Sequence, residues 1–205
     1  MKAVTWRGKE DVGVDDVDDP RVQRPTDAVV RVTATALCGS DLHLYANLIP
    51  GMKPGDILGH EVVGIVTDTG ADVRNLYVGD RVVVPFNIAC GTCFYCAQGL
   101  QSQCERTQNA RWHRGGSLFG YTHLYGGVPG GQAEYLRVPF ADGGAGEGFR
   151  LDRGPSSRPA RGRPPDGLAG RRVRGRPRGD DGRGAGARAD RTDGRPDRAA
   201  PPPSG

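Results

Sequence analysis

Four cysteines crowd into fifteen residues at Cys90, Cys93, Cys96 and Cys104, spaced C-x2-C-x2-C-x7-C. No other feature restricts the fold as strongly, because a loop carrying four thiols so close together must close on itself. Thiolates hold zinc tetrahedrally at about 2.3 Å, and two-residue gaps let one turning loop present successive sulfurs to a single ion. Gly91 and Gly99 lie where such a loop has to turn. The competing reading is a disulfide pair. The chain opens without a charged-then-apolar leader, so a reducing, cytoplasmic setting is expected, and there thiols stay available to metal. Four thiolates fill a tetrahedron and leave no position for water or substrate. The expected zinc is therefore structural, and any chemistry has to lie elsewhere.

Charge and composition divide the chain after Asp142. Up to that residue thirteen Lys/Arg face sixteen Asp/Glu; from Gly143 onward there are fifteen Arg, no Lys and eight acids. The formal charge of +4 for the whole chain thus arises in the second segment and says nothing about a basic surface on the first. Gly, Arg and Pro supply 39 of the 63 residues of 143–205, whose only large apolar residues are Phe149, Leu151, Leu168 and Val173. Such a segment buries too little to offset the entropy of ordering itself, and it is expected to be disordered. Two parts are expected: a globular domain over 1–142 and a low-complexity tail over 143–205. No apolar run approaches the roughly 18 residues of a membrane span, so no membrane role is expected.

The first part reads as mainly β. Met1 to Arg7 forms an opening strand, which Val12 and Val14 continue as a hairpin. Asp27 to Cys38, Glu61 to Thr69, Arg81 to Pro85 and Ala133 to Val138 form further strands, on β-branched content and alternation. Gly64 interrupts the second of these and marks a close backbone approach. Ser40 to Asn47 is expected to form one or two helical turns with Ser40 as N-cap. Short strands separated by turn signals point to a small barrel or sandwich.

A second focus comprises Cys38-Gly-Ser40-Asp41-Leu-His43 and Gly59-His60-Glu61-Val-Val-Gly64. A catalytic zinc takes three protein ligands and keeps one position open. Cys38 and His60 offer a thiolate and an imidazole at strand edges, and Glu61 a further carboxylate. Asp41 is placed to receive the other ring N–H of His60 and fix its tautomer. Ser40 and His43, three apart, are expected to face one pocket and pass a proton outward. Taken singly, such a cysteine is as well read as a buried apolar thiol, and such a histidine as structural.

Taken together, these motifs resemble the N-terminal catalytic domain of zinc-dependent medium-chain alcohol dehydrogenases. Gly59-His60-Glu61-x2-Gly64-x5-Gly70-x2-Val73 matches that family's zinc signature, and Cys38-Gly-Ser-Asp41 and the four-cysteine lobe follow its order. The run from Leu118-Phe-Gly-Tyr121 to Gln132-Ala-Glu-Tyr135-x-Arg-Val-Pro-Phe-Ala-Asp142 further resembles the formaldehyde dehydrogenase and dismutase branch. The resemblance implies a GroES-like β-barrel over 1–142. It implies Cys38, His60 and Glu61 at a catalytic zinc, Asp41 behind His60, Ser40 on the substrate hydroxyl and His43 toward the exit of a proton relay. Cys90, Cys93, Cys96 and Cys104 would hold the structural zinc, and NAD would accept hydride from a small alcohol or aldehyde.

The resemblance stops at Asp142. The family's third catalytic-zinc ligand comes from beyond that point, where Asp152 and Asp166 are the right chemical type but sit in no family-like motif. Gly184-Ala-Gly186-Ala-Arg-Ala189 spells G-x-G-x-x-A with no apolar strand before it and no acid about 20 residues later, so a Rossmann domain is expected to be absent. The abrupt change suggests a coding frame that shifts near Asp142; a natural disordered tail is the alternative. The expected protein is a truncated zinc-dependent dehydrogenase, doubtful as an enzyme by itself. The alternative is a zinc-binding module whose Arg-rich tail contacts nucleic acid through phosphates, against which eight acids are interleaved with the arginines. Family members assemble as oligomers, chiefly through the part expected to be missing.

Overall fold

Alternation of apolar side chains becomes strand pairing in two antiparallel sheets. The computed structural model describes residues 1–112, 114–144 and 150–152, all within one compact unit, Met1–Arg161. The expectation of a disordered tail over 143–205 lies outside the described residues, apart from Gly143, Gly144 and Arg150–Asp152. The smaller sheet is made by β1 (Lys2–Gly8), flanked by β2 (Asp11–Asp16) and the two-residue β4 (Asp56–Ile57). The larger has β3 (Ala28–Thr35) and β5 (Val62–Thr69) at its centre, with β6 (Arg81–Val84), β7 (Tyr135–Val138) and β8 (Arg150–Asp152) outside them. Its order is β7-β3-β5-β6-β8. The chain leading into β7 also bonds to β1, through Val4 N–H to Gln132 O at 2.8 Å and Glu134 N–H to Lys2 O at 3.1 Å. The sheets therefore join along one seam, in keeping with the expected small barrel.

Period-2 burial builds the core from the larger sheet. Val62 and Val66 of β5, Val82 and Val84 of β6, and Leu136 and Val138 of β7 point inward and meet Val30, Leu76, Ile88 and Phe119. Gly64 is the close approach expected of it. A Cβ there would lie 2.3 Å from Val30 Cγ1 and 2.5 Å from Arg31 O, so only glycine lets β5 pair with β3 in this register. A second cluster, Trp6, Leu44 and Leu58, fastens helix α1 (Gly39–Tyr45) to the smaller sheet. The Trp6 indole N–H donates to Leu44 O at 3.1 Å, which fixes the helix axially as well.

One expectation about α1 is corrected. Its N-cap is Cys38, not Ser40. The helix starts two residues early because Asp41, at N3, reaches back and accepts the Cys38 N–H at 2.8 Å. That bond satisfies the helix start, and the Ser40 hydroxyl is left for other use. No helix among the described residues is long and apolar enough to cross a membrane.

Candidate metal centres

The cysteine lobe runs from Cys90 through α2 (Phe94–Ala97) and the 3-10 turn Gln101–Gln103 to Cys104. Gly91 (φ 76°) and Gly99 (φ 78°) supply the left-handed turns that bring its two arms together. Cys90, Cys93, Cys96 and Cys104 are all buried, and their sulfurs lie within 4.8 Å of one another. A tetrahedron with zinc–sulfur bonds of about 2.3 Å has edges of about 3.8 Å. The Cys93 and Cys104 sulfurs are 3.9 Å apart, a spacing for a shared ion and nearly twice a disulfide bond. All five cysteines are free thiols, which sets aside the disulfide reading.

Backbone donors surround the sulfurs. The Cys90 sulfur accepts N–H groups of Cys93 at 3.3 Å and Thr92 at 3.5 Å, and the Cys104 sulfur that of Cys90 at 3.3 Å. Burial pushes the Cys90 thiol up, but the Thr92 and Cys93 N–H groups and the Thr92 hydroxyl outweigh it and bring it down to about 6. The Cys96 N–H is the chief cause that lowers Cys93, whereas burial first, and then Cys93, push Cys96 up to about 12. A lobe whose interior is four thiols and Ala89, with Tyr95 and Phe140 against it, has little other reason to close. The donor set fits zinc.

The second group forms where the N-terminus of α1 meets the start of β5. Ligand atoms of Cys38, His60 and Glu61 lie within 4.8 Å of one another. The ring of His60 is held from both sides. Its Nδ1 faces Asp41 Oδ1 at 3.5 Å, close enough for charge attraction but without a formed hydrogen bond, and its Nε2 lies 3.0 Å from Ser40 Oγ. Asp41 is 4% exposed and His60 9%. A buried carboxylate behind Nδ1 favours the tautomer whose Nε2 lone pair points to the open side, the arrangement of a metal-ligating histidine. Tyr121 meets the His60 ring edge-on at 6.2 Å between centroids, and burial raises its phenol above the usual range.

Cys38, Ser40, His60 and Glu61 line a cavity of about 270 Å³ completed by Phe86, Leu118, Phe119 and Tyr121. It is small, apolar on one wall and carries a thiol, an imidazole, a hydroxyl and a carboxylate on the other. Of the residues expected at this site, the structure brings together Cys38, Ser40, Asp41, His60 and Glu61. His43 is exposed on α1 and is not in the cavity lining. Cys38 is half-buried and opens on the cavity, unlike a thiol packed into a core. The aromatic wall was not anticipated as part of a site. In the sequence the Leu118–Tyr121 run carries part of it.

Residues 24–142 match the family of the alcohol dehydrogenase GroES-like domain. Over 142 residues the chain is 51% identical to a zinc-type alcohol dehydrogenase-like protein of Bacillus subtilis, and the match covers 69% of this chain and 37% of that one. A glutathione-independent formaldehyde dehydrogenase of the same organism is 38% identical over 156 residues, covering 69% and 37%. Among solved structures, the alcohol dehydrogenase TADH from Thermus sp. ATN1 superimposes with a TM-score of 0.63 at 48% identity, covering 69% of this chain and 38% of that one. The chain thus spans under two-fifths of the length of these relatives.

Proposed function

Since the chain belongs to the zinc-dependent medium-chain alcohol dehydrogenase family, through its GroES-like domain, we propose that residues 1–142 are the substrate-holding half of such an oxidoreductase. In this reading Cys38 and His60 hold a zinc ion, with Glu61 beside them, and Cys90, Cys93, Cys96 and Cys104 hold another. The observation that carries it is the convergence of Cys38, His60 and Glu61 donor atoms on one cavity with Ser40 3.0 Å from His60. Zinc bound there would lower the pKa of a substrate hydroxyl.

The chain's own residues do the rest. Ser40 accepts the proton released from the hydroxyl as it releases its own hydroxyl proton toward His43, since its Oγ lies at the cavity wall beside His60. Asp41 keeps the His60 ring oriented and its Nδ1 protonated. His43, exposed on the same helix, hands the proton to solvent. Phe86, Leu118 and Phe119 exclude water and limit the substrate to a small alcohol or aldehyde adduct, formaldehyde-derived in one branch of the resemblance. Every ladder among the described strands is antiparallel. In this reading hydride passes to NAD, whose parallel sheet and glycine-rich turn would be supplied from outside the described residues.

The test is metal analysis combined with cobalt substitution. About one zinc per chain is expected to resist dialysis, held by the four cysteines, with a second bound weakly. Cys38→Ala should remove the weak site's cobalt–thiolate absorption and leave that of the lobe. A chain that takes up one cobalt only, with a spectrum unchanged by Cys38→Ala, would defeat the proposed substrate site.

A further inference from the structure

Between the foot of the cysteine lobe and the barrel lies another cavity, of about 220 Å³, on which three arginines converge. Arg24 comes from the loop before β3, Arg106 from the 3-10 turn Glu105–Thr107 that leaves the lobe, and Arg137 from β7. Only Arg137 is balanced: its guanidinium donates to Asp27 Oδ2 at 3.0 Å. Asp27 is fully buried and does not line the cavity, and the same oxygen accepts the N–H groups of Gln23 and Arg24. Arg24 and Arg106 are exposed and enter no ion pair among the described residues. The hydroxyls nearby are already engaged, Thr107 with Ile88 O and Ser117 with Thr107 O. The donors left at the cavity are the guanidinium N–H groups and the side-chain amide of Gln23.

This grouping runs against the charge of its surroundings, because residues 1–142 carry more acids than bases. Like charges brought together repel, and an anion seated among them reverses the sign of the interaction. Guanidinium forks match the oxygens of phosphate in pairs, which a point charge does not. The cavity holds roughly seven waters' volume at about 30 Å³ each. That admits a phosphate and a few further heavy atoms. It shares no lining residue with the Cys38–His60 cavity. We propose that it is a binding site for a small phosphate-bearing anion, whose occupant bridges the lobe at Arg106 to the barrel at Arg137.

Calorimetric titration of the full chain with inorganic phosphate, at ionic strength held constant with chloride, tests this. Saturable binding is expected, weakened at least tenfold in Arg24→Ala/Arg106→Ala and unchanged in Arg31→Ala, which alters an exposed arginine of β3 outside the cavity. The double variant Arg24→Lys/Arg106→Lys keeps the charge without the forks and should fall between. Glycerol 3-phosphate binding more tightly than phosphate would identify an ester as the natural occupant, and equal or weaker binding the free ion. Absence of saturable binding overturns the site, and so does equal weakening by Arg31→Ala, which would mean diffuse attraction to the arginine-rich chain.

Discussion

Asp41 does two jobs with one carboxylate: Oδ2 closes the start of α1 and Oδ1 faces His60. Asp41→Asn separates them. The amide oxygen still accepts the Cys38 N–H, so the helix should survive, but the charge behind the imidazole is gone. Metal affinity at Cys38 and His60 should fall by about 10–100-fold, read by cobalt titration with the lobe already filled. His43→Ala is the contrast. An exposed side chain outside the cavity should leave that titration unchanged within twofold, so a large loss of affinity would show that His43 reaches the metal.

The element that rests on a single residue is the β3–β5 pair. Gly64→Ala drives a methyl into Val30 and the Arg31 carbonyl and should cost about 1–3 kcal/mol, as overpacking does, measured by urea denaturation. The β1–β2 hairpin depends instead on charge. Arg7, and after it Thr5, hold the Asp15 carboxyl below the usual carboxylate range by hydrogen bonding. A lowered folded value adds stability above about pH 4, the ordinary carboxylate value, and that stability is lost as pH falls through the folded value. Asp15→Asn should therefore lower the melting temperature at pH 6 but hardly at pH 2.5. How far such elements could be read from sequence follows from how local their causes are. Strands with alternating valines, such as Val62–Thr69 and Arg81–Val84, announce themselves, and so does Gly64 between Val63 and Ile65. β4 has two residues and exists only because β1 offers an edge, so no local pattern marks it. Serine is a common cap and points to the wrong start of α1, whereas the carboxylate three residues past Cys38 decides the matter here. At the site, ligands were legible because metal chemistry restricts residue type and spacing. The aromatic wall is legible only in part: Leu118–Tyr121 is a recognisable run, but Phe86 reaches the cavity through tertiary packing alone.

On the scale of the whole molecule, two bodies of different kind share one chain: a barrel held by aliphatic packing and a lobe held by sulfur. Chelation should separate them. Removing zinc is expected to abolish amide protection over 90–107 while the strands Val62–Thr69 and Tyr135–Val138 stay protected, seen by hydrogen exchange. Cys104→Ser, at a fully buried position, should reproduce that pattern without chelator. A broad apolar groove over Ala34, Ala36, Val63, Val83, Pro85 and Phe86 runs beside the Cys38–His60 cavity, and Phe86 is 53% exposed. Apolar surface of this sort promotes association. Sedimentation should show concentration-dependent assembly that Phe86→Ser reduces.

The two bodies still meet at one ring. Phe140 packs against both the valine core and the cysteine cluster, and it does so with a backbone φ of 50°, a conformation bulky side chains avoid. Just beyond it, Asp142 accepts the Arg74 and Asn75 N–H groups at 2.8 Å each and anchors the strained turn. A party wall of this design transmits damage in both directions: oxidise the sulfurs and the barrel loses a face, truncate the ring and the thiols lose their backing. Loss of a metal held by the four cysteines would therefore be felt as a softening of the fold, not only as the emptying of a pocket.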